Sequence, residues 1–231
     1  MNKNDFLKLR VILPEVSEQQ QIADCLTNLD ELIAANGQEL EALKIHKNGL
    51  MQQLFPCEGE ALPRLRFPEF QNEPEWEKQK LTEVVYLVTG MHLSSDEYGK
   101  ESGIPYFTGP SDFTNDIQGV TKWTNESTSI AKENDILITV KGSGVGEIWY
   151  LTLPSVAMGR QLMAVRSKGS SSRFVCQFLL TKRIRFKDLA SGNLIPGLSR
   201  GDILDLEAPF PTISEQQTIA DCLSCIDEST L

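Results

Sequence analysis

Apolar residues recur at Ile22, Leu26, Leu29, Ile33, Leu40, Leu43, Leu50 and Leu54. With Asn36 and Lys47 filling the two gaps, the steps alternate four and three over more than four heptads. That is the a/d spacing of a coiled-coil seam, and it predicts a long helix ended by Phe55-Pro56. Asn36 and Lys47 would pin its register, while Gly37 and Gly49 each weaken it by about 1 kcal/mol relative to Ala, so packing must hold it. The plainer alternative is an amphipathic helix packed on its own domain. Upstream, Leu7, Leu9, Val11 and Leu13 alternate as in a half-buried strand, with Pro14 ending it and Ser17 placed to cap the helix.

Beyond residue 63 the period shortens. Leu81–Val88 reads as a short helix before Gly90. Strand-like runs follow at 104–108, 119–123, 136–140, 148–153 and 161–166, each broken by turn residues. Ser172–Asp188 reads as one helix capped by Ser172, with Phe174, Phe178 and Ile184 inward. Residues 191–199 read as a loop, and Ile203–Leu206 as a returning strand. The fold class is α+β: one mostly-β domain, a long coiled-coil-type helix, and a short second helix.

An internal repeat organises the chain. Residues 5–31 and 202–228 share 15 identities in 27 positions, centred on PEVSEQQQIADCL and PTISEQQTIADCL. The expected divisions are 1–16, a terminal strand; 17–56, the long helix; 57–210, the β-rich domain; and 211–231, a second helix that stops early.

The formal net charge of −10 argues against nucleic acid until its distribution is seen. Residues 18–62 carry a net −6, whereas 156–187 hold eight Lys/Arg and no Asp/Glu. Arg160, Arg166, Lys168, Arg173, Lys182, Arg183, Arg185 and Lys187 interleave there with Phe174, Phe178 and Phe186. Alone, this pattern fits a nucleic-acid surface or an ordinary basic patch. No run of about 18 apolar residues predicts a membrane span. Five cysteines, odd in number and sparse, fit a reducing cytosol.

Catalytic signals are weak. Gly142-Ser143-Gly144-Val145-Gly146 lies between two strand patterns, whereas a phosphate-binding glycine loop needs a helix after it. It reads as an inter-strand loop that, with Lys141, could lie on DNA. Cys222-x-x-Cys225 lacks the second pair a zinc site needs. His46 and His92 have no nucleophilic partner in a recognisable motif. No cofactor is expected.

The Ser-Glu-Gln-Gln-x-Ile-Ala helix start, the long helix ending Gly49-Leu50-Met51-Gln52-Gln53-Leu54-Phe55, and Pro63-Arg64-Leu65-Arg66-Phe67 followed by Trp76 resemble the conserved region of the specificity subunit of type I restriction–modification enzymes. The middle is similar to one of its target recognition domains, through Ile104-Pro105-Tyr106, Asn134-Asp135-Ile136-Leu137-Ile138 and Ser191-Gly192-Asn193 to Leu198-Ser199. The resemblance implies a cytoplasmic, non-catalytic subunit that reads half of a bipartite double-stranded DNA target. It implies docking on a methyltransferase subunit through the conserved helix and, through that, on the restriction subunit. One recognition domain and one full helix suggest a half subunit or a fragment, with residues 1–16 matching the end of a preceding domain. The exposed seam then calls for a homodimer of antiparallel long helices. The DNA contacts expected are Lys141, Ser143, Arg160, Gln161, Asn193 and Arg200, with Lys168 and Arg173 on phosphate. An alternative is an interaction protein that binds the methyltransferase without strong DNA reading.

Overall fold

The computed structural model describes residues 2–6, 8, 12–99, 102–191 and 197–228. The chain forms two units, one ending at His46 and the other beginning at Lys47.

In the first unit, α1 (Lys3–Phe6) is a single turn. Leu7, Leu9 and Val11 of the expected strand lie outside the described residues, and Ile12–Glu15 have no regular structure. Helix α2 (Val16–Leu54) then runs 39 residues and crosses into the second unit, about 58 Å at 1.5 Å per residue. Starting at Val16, it places Ser17 inside the first turn rather than ahead of it. The seam does not have one environment. Ile22, Leu26, Leu29 and Ile33 are exposed, as is Asn36; Leu40 and Leu43 are half-buried. Lys47 and Leu50 are partly buried and Leu54 is fully buried.

The second unit is layered. Strands β1 (Glu77–Lys80) and β10 (Glu207–Phe210) form an antiparallel ribbon. A four-stranded antiparallel sheet has the order β2 (Val85–Thr89), β9 (Leu162–Ser167), β6 (Ile136–Thr139), β7 (Ile148–Tyr150). A second has the order β4 (Trp123–Thr124), β3 (Ile104–Phe107), β8 (Ser155–Met158), β5 (Ile130–Lys132), with β3 and β8 parallel.

The two central strands of the first of these sheets, β6 and β9, are buried on both faces. Ile136, Ile138, Met163 and Val165 face a core containing Phe174, Val175, Phe178 and Leu179 of α4 (Ser172–Thr181) and Phe186 of α5 (Arg183–Ser191). Leu137, Leu162 and Ala164 face the second sheet, against Phe107, Val156 and Met158. Burial on both faces makes these strands continuous apolar runs rather than alternating ones.

Four sequence expectations need correction. Leu81–Val88 is one helical turn, α3 (Leu81–Val84), followed by β2. Val85 and Leu87 are buried while Tyr86 is exposed, a period of two. Of 119–123, only Trp123 is in a strand; a 3-10 turn occupies Ile117–Gly119. Ser172–Asp188 is two helices, broken at Lys182, and Ser171 rather than Ser172 caps the first by accepting from the Phe174 N–H. The break resets the helical phase, so Phe186 is buried and Ile184 is exposed. Ile203–Leu206 is not a strand: Ser199 and Asp202 form a capping box that starts α6 (Arg200–Leu204), and the strand follows as β10.

The second repeat copy forms α7 (Ile213–Glu228), so Ser214, like Ser17, falls inside its helix. Here Glu215 is completely buried. Arg66 grips it with two hydrogen bonds of 2.8 Å, and Trp76 Nε1 donates to it at 3.2 Å. Arg66 also donates to the carbonyls of Glu73 and Pro74. Hydrogen bonding to Glu215 holds the Arg66 guanidinium above its usual pKa. Trp76 packs on Phe174 at 6.0 Å, and Phe174 contacts Phe55 and Phe210 at 5.2 and 5.7 Å. At the far end of α7, Asp227 pairs with Lys47 at 2.5 Å and accepts from Gln177. Removing one member of a buried ion pair strands the other, at a cost of about 3–5 kcal/mol. Glu215→Gln should lower stability by about that much, whereas Glu18→Gln, at the exposed equivalent position, should change it by less than about 0.5 kcal/mol. Urea unfolding followed by tryptophan fluorescence checks this, and equal costs would contradict it.

Candidate nucleic-acid interface

Five strand ends meet at one end of the two four-stranded sheets. The C-terminal ends of β2, β3, β6 and β8 lie there with the N-terminal end of β9. Gly159 N–H donates to the Phe107 carbonyl, Gly90 N–H to Leu162, and Val140 N–H to Gln161, at 2.7–3.0 Å. Met91 and Lys141 make isolated bridges to Gly159 and Gly197. The segments that follow these strands are therefore brought together by backbone pairing.

Glycines permit the close approach. A Cβ on Gly90 would stand 2.1 Å from the Gly159 carbonyl oxygen, and one on Gly144 would stand 2.4 Å from Pro110 Cγ. Gly142 and Gly146 adopt φ of 89° and 85°, the left-handed region that L side chains disfavour. The loop from Lys141 to Gly146 joins β6 to antiparallel β7, so no helix follows it, as the inter-strand reading expected. Its other wall is fixed by Asp112. Thr108 donates to Asp112 through N–H and Oγ1 at 2.7 and 2.6 Å, and Lys122 Nζ contacts both carboxylate oxygens at 2.9 Å. Burial pushes the Asp112 carboxyl up, but the hydrogen bonds from Thr108 and Lys122 outweigh it and hold the carboxyl below its ordinary value.

Lys141, Ser143 and Arg160 are exposed in this cluster. Gln161 is half-buried, with its side-chain oxygen 3.1 Å from where a Gly109 Cβ would stand and 3.4 Å from one on Gly142. It thus lies between the loops after β3 and β6. Arg200 is at the same end, at the start of α6, where it donates to Thr89 Oγ1 at 2.9 Å and to the Leu87 carbonyl at 3.3 Å. Asn193 lies outside the described residues. The exposed His92 follows Met91 and its bridge to Gly159. No local sequence pattern relates it to Arg160, so the sequence alone does not place it at this end.

Lys168 and Arg173 are not in this cluster. Strand β9 runs from the cluster at Leu162 to Ser167, paired with Val85 at the opposite end of β2. There Lys168 Nζ donates to the Thr82 carbonyl at 2.9 Å, and the Arg173 guanidinium lies 5.3 Å from the Tyr150 ring centre. The basic stretch is also partly neutralised. Arg166 makes two hydrogen bonds, of 2.7 and 2.6 Å, to the buried Asp135. Arg183 and Lys187 both pair with Glu147. Lys182 lies over Phe178, 5.2 Å from the ring centre. The eight charges do not form one surface.

What remains at the loop end is a set of exposed donors on rigidly paired turns: a lysine, a serine, an arginine and a histidine around a glutamine amide. Arginine and glutamine present the paired donors and donor–acceptor edges that match guanine and adenine in the major groove. Among the described residues no group of three or more His, Cys, Asp or Glu is placed to hold a metal ion. No described helix is long and apolar enough to cross a membrane.

Comparison with known proteins fits this architecture. The family model of the type I restriction modification DNA specificity domain matches residues 1–44 and 73–231. A Methanocaldococcus jannaschii protein named as the specificity subunit of the type I restriction enzyme MjaX is 28% identical over 234 residues, covering 99% of this chain and 55% of that protein. Among solved structures, the S subunit of a type I restriction–modification system from M. genitalium superposes with a TM-score of 0.72 at 20% identity, over 94% of this chain and 55% of that one. The HsdS subunit from Thermoanaerobacter tengcongensis gives 0.66 at 22%, over 94% and 52%. The chain thus spans about half the length of the relatives it matches. It belongs to the family of type I restriction–modification DNA specificity domains.

Proposed function

We propose that this chain is a non-catalytic, cytoplasmic DNA-reading unit of a type I restriction–modification system. It reads one half of a bipartite duplex target through the loop end of its sheets. The observation that carries this reading is the convergence of Lys141, Ser143, Arg160 and Gln161 on turns whose backbones are locked together. Arg160 and Gln161 read base edges; Lys141 and Ser143 lie beside them; Arg200, held on β2, and Asn193 complement them. Lys168 and Arg173 sit at the other end of β9 and act on phosphate, where register is set without sequence information.

The acidic long helix repels DNA and is assigned to the methyltransferase subunit, through which the restriction subunit is reached. Its exposed residues from Ile22 to Ile33 also form the seam of a homodimer with antiparallel helices, which would read an interrupted palindrome. The net charge of −10 supports a second reading, in which the chain binds the methyltransferase and reads DNA poorly alone. Mobility shifts with and without the methyltransferase separate the two: the main reading expects a sequence-selective shift from the chain itself.

Three outcomes are expected. Arg160→Ala should lose about 1–3 kcal/mol of discrimination between target and mismatched sites, while Lys168→Ala should weaken all sequences alike. Equal effects in competition binding would contradict the assigned roles. Gly144→Ala should cost about 1–3 kcal/mol by overpacking against Pro110 and should lower DNA affinity. Ser143→Ala, at an exposed neighbour, should leave the thermal midpoint unchanged. Leu29→Glu with Leu43→Glu should convert a dimer to a monomer in light scattering; an unchanged mass would remove the seam from the interface.

A further inference from the structure

The two repeat copies differ in one respect that their sequences do not. Six residues of α7 are buried: Glu215, Gln216, Ile219, Ala220, Leu223 and Ser224. Five have identical counterparts in α2, at Glu18, Gln19, Ile22, Ala23 and Leu26; the sixth is Thr27, one methyl larger than serine. All six counterparts are exposed. Asp227, which pairs with Lys47, has its counterpart in Asp30. The five differences across 16–31 and 213–228 fall at Val16, Gln21, Thr27, Asn28 and Leu29. Apart from Thr27, their α7 counterparts are exposed or only half-buried.

The shape of the helix start is duplicated as well. Gln216 Nε2 donates to the Pro211 carbonyl at 2.9 Å, and Gln19 Nε2 donates to the Pro14 carbonyl at 2.7 Å. The start of α2 therefore carries the groups that α7 presents to its seat, with Thr27 in place of Ser224 the one change. That seat is built from Arg66 and Trp76, which take the carboxylate, Ser171 N–H, which takes the glutamine oxygen at 3.0 Å, and the apolar wall of Phe174 and Phe210.

We infer that α7 and the start of α2 are interchangeable occupants of this one seat, and that the partner for the exposed start of α2 is the seat of a second copy of the chain. Within one chain α7 is tethered beside the seat at an effective concentration in the millimolar range, so it caps the seat against the second copy. Exchange follows when α7 is loosened: Glu18 then takes the Arg66 fork, Gln19 takes Ser171, and Ile22 and Leu26 take the apolar wall. The carboxylate is what makes the seat selective, because an apolar or amide side chain in its place leaves Arg66 buried without its charge partner.

The test uses the full chain and a fluorescent peptide of residues 14–32, under reducing conditions and without DNA. Anisotropy titrations should show weak binding to the unaltered chain and at least tenfold tighter binding to Glu215→Gln, whose Arg66 has lost its carboxylate. The gain should vanish when the peptide carries Glu18→Gln. Asp227→Asn loosens α7 from its other end, touching neither Arg66 nor Trp76. It should also tighten peptide binding at least tenfold, and it decides the matter if Glu215→Gln fails to fold. Equal affinity for all chains, or tightening that ignores Glu18, would overturn the exchange. Capture of the peptide by the methyltransferase subunit with no gain on either variant would overturn it in favour of that partner. Because no DNA is present, DNA reading can fail without moving this result. Glu18 and Glu215 lie outside the heptad seam, so a dimer that depends on Leu29 yet ignores both glutamates would preserve the seam and remove the exchange.

Discussion

The second unit depends on a buried charge. Glu215 is completely buried, and a carboxylate taken into a protein interior is tolerable only with its hydrogen bonds complete. Arg66 and Trp76 supply three of them, and Arg66 gives two further donors to the carbonyls of Glu73 and Pro74. One ion pair therefore fixes the path of the segment before β1, the seating of α7, and the position of the Trp76 ring. That ring in turn packs edge-on against the aromatic group where the end of α2, α4 and β10 meet. The geometry is demanding enough that a helix lacking the carboxylate would not be accepted there.

The helix start carrying that carboxylate occurs twice, and the two copies separate what local sequence determines from what it does not. Both begin a helix at the equivalent residue and both fold the glutamine back on the preceding proline carbonyl. Helix formation and the return of the glutamine to the proline carbonyl are local, so the copies agree. Burial is a relation to neighbours, and there they differ: Ile219 and Leu223 are in the core while Ile22 and Leu26 are exposed. A seam read as uniform along the helix is thus divided by what stands beside it.

The same distinction decides how much of the fold and the site was legible. The strands at 104–107, 136–139, 148–150 and 162–167 were readable because apolar runs of that length between turn residues have few other uses. The ribbon strand Glu77–Lys80 was not, since its residues are Glu, Lys, Gln and Lys and only its pairing with β10 makes it a strand. The break at Lys182 was invisible because both flanking segments favour helix. At the candidate site, the glycine loop and the basic stretch pointed to Lys141, Ser143, Arg160 and Gln161, which the fold brings to one end of the sheets. A count of charges along the stretch does not show how the fold divides it. The partners of Arg166, Arg183 and Lys187 are Asp135 and Glu147, dozens of residues away along the chain and adjacent only in the folded structure. A six-residue strand carries Lys168 away from Arg160, which no charge count reveals.

The division of labour at the loop end follows from these constraints. What holds the loops together is backbone: the bridges of Met91 and Lys141, the carbonyl contacts of Gly90 and Gly159, and the glycine at 144 against Pro110. What faces outward is side chain: Lys141, Ser143 and Arg160 are exposed and bury nothing that the sheets need. Substituting an exposed residue away from such contacts usually changes stability by less than about 0.5 kcal/mol. The exposed residues of this loop end can therefore be exchanged without disturbing the sandwich, whereas Gly90, Gly144 and the buried Asp135 cannot. A loop end built this way can take new side chains on an unchanged frame, which is what the proposed reading of target sequences requires.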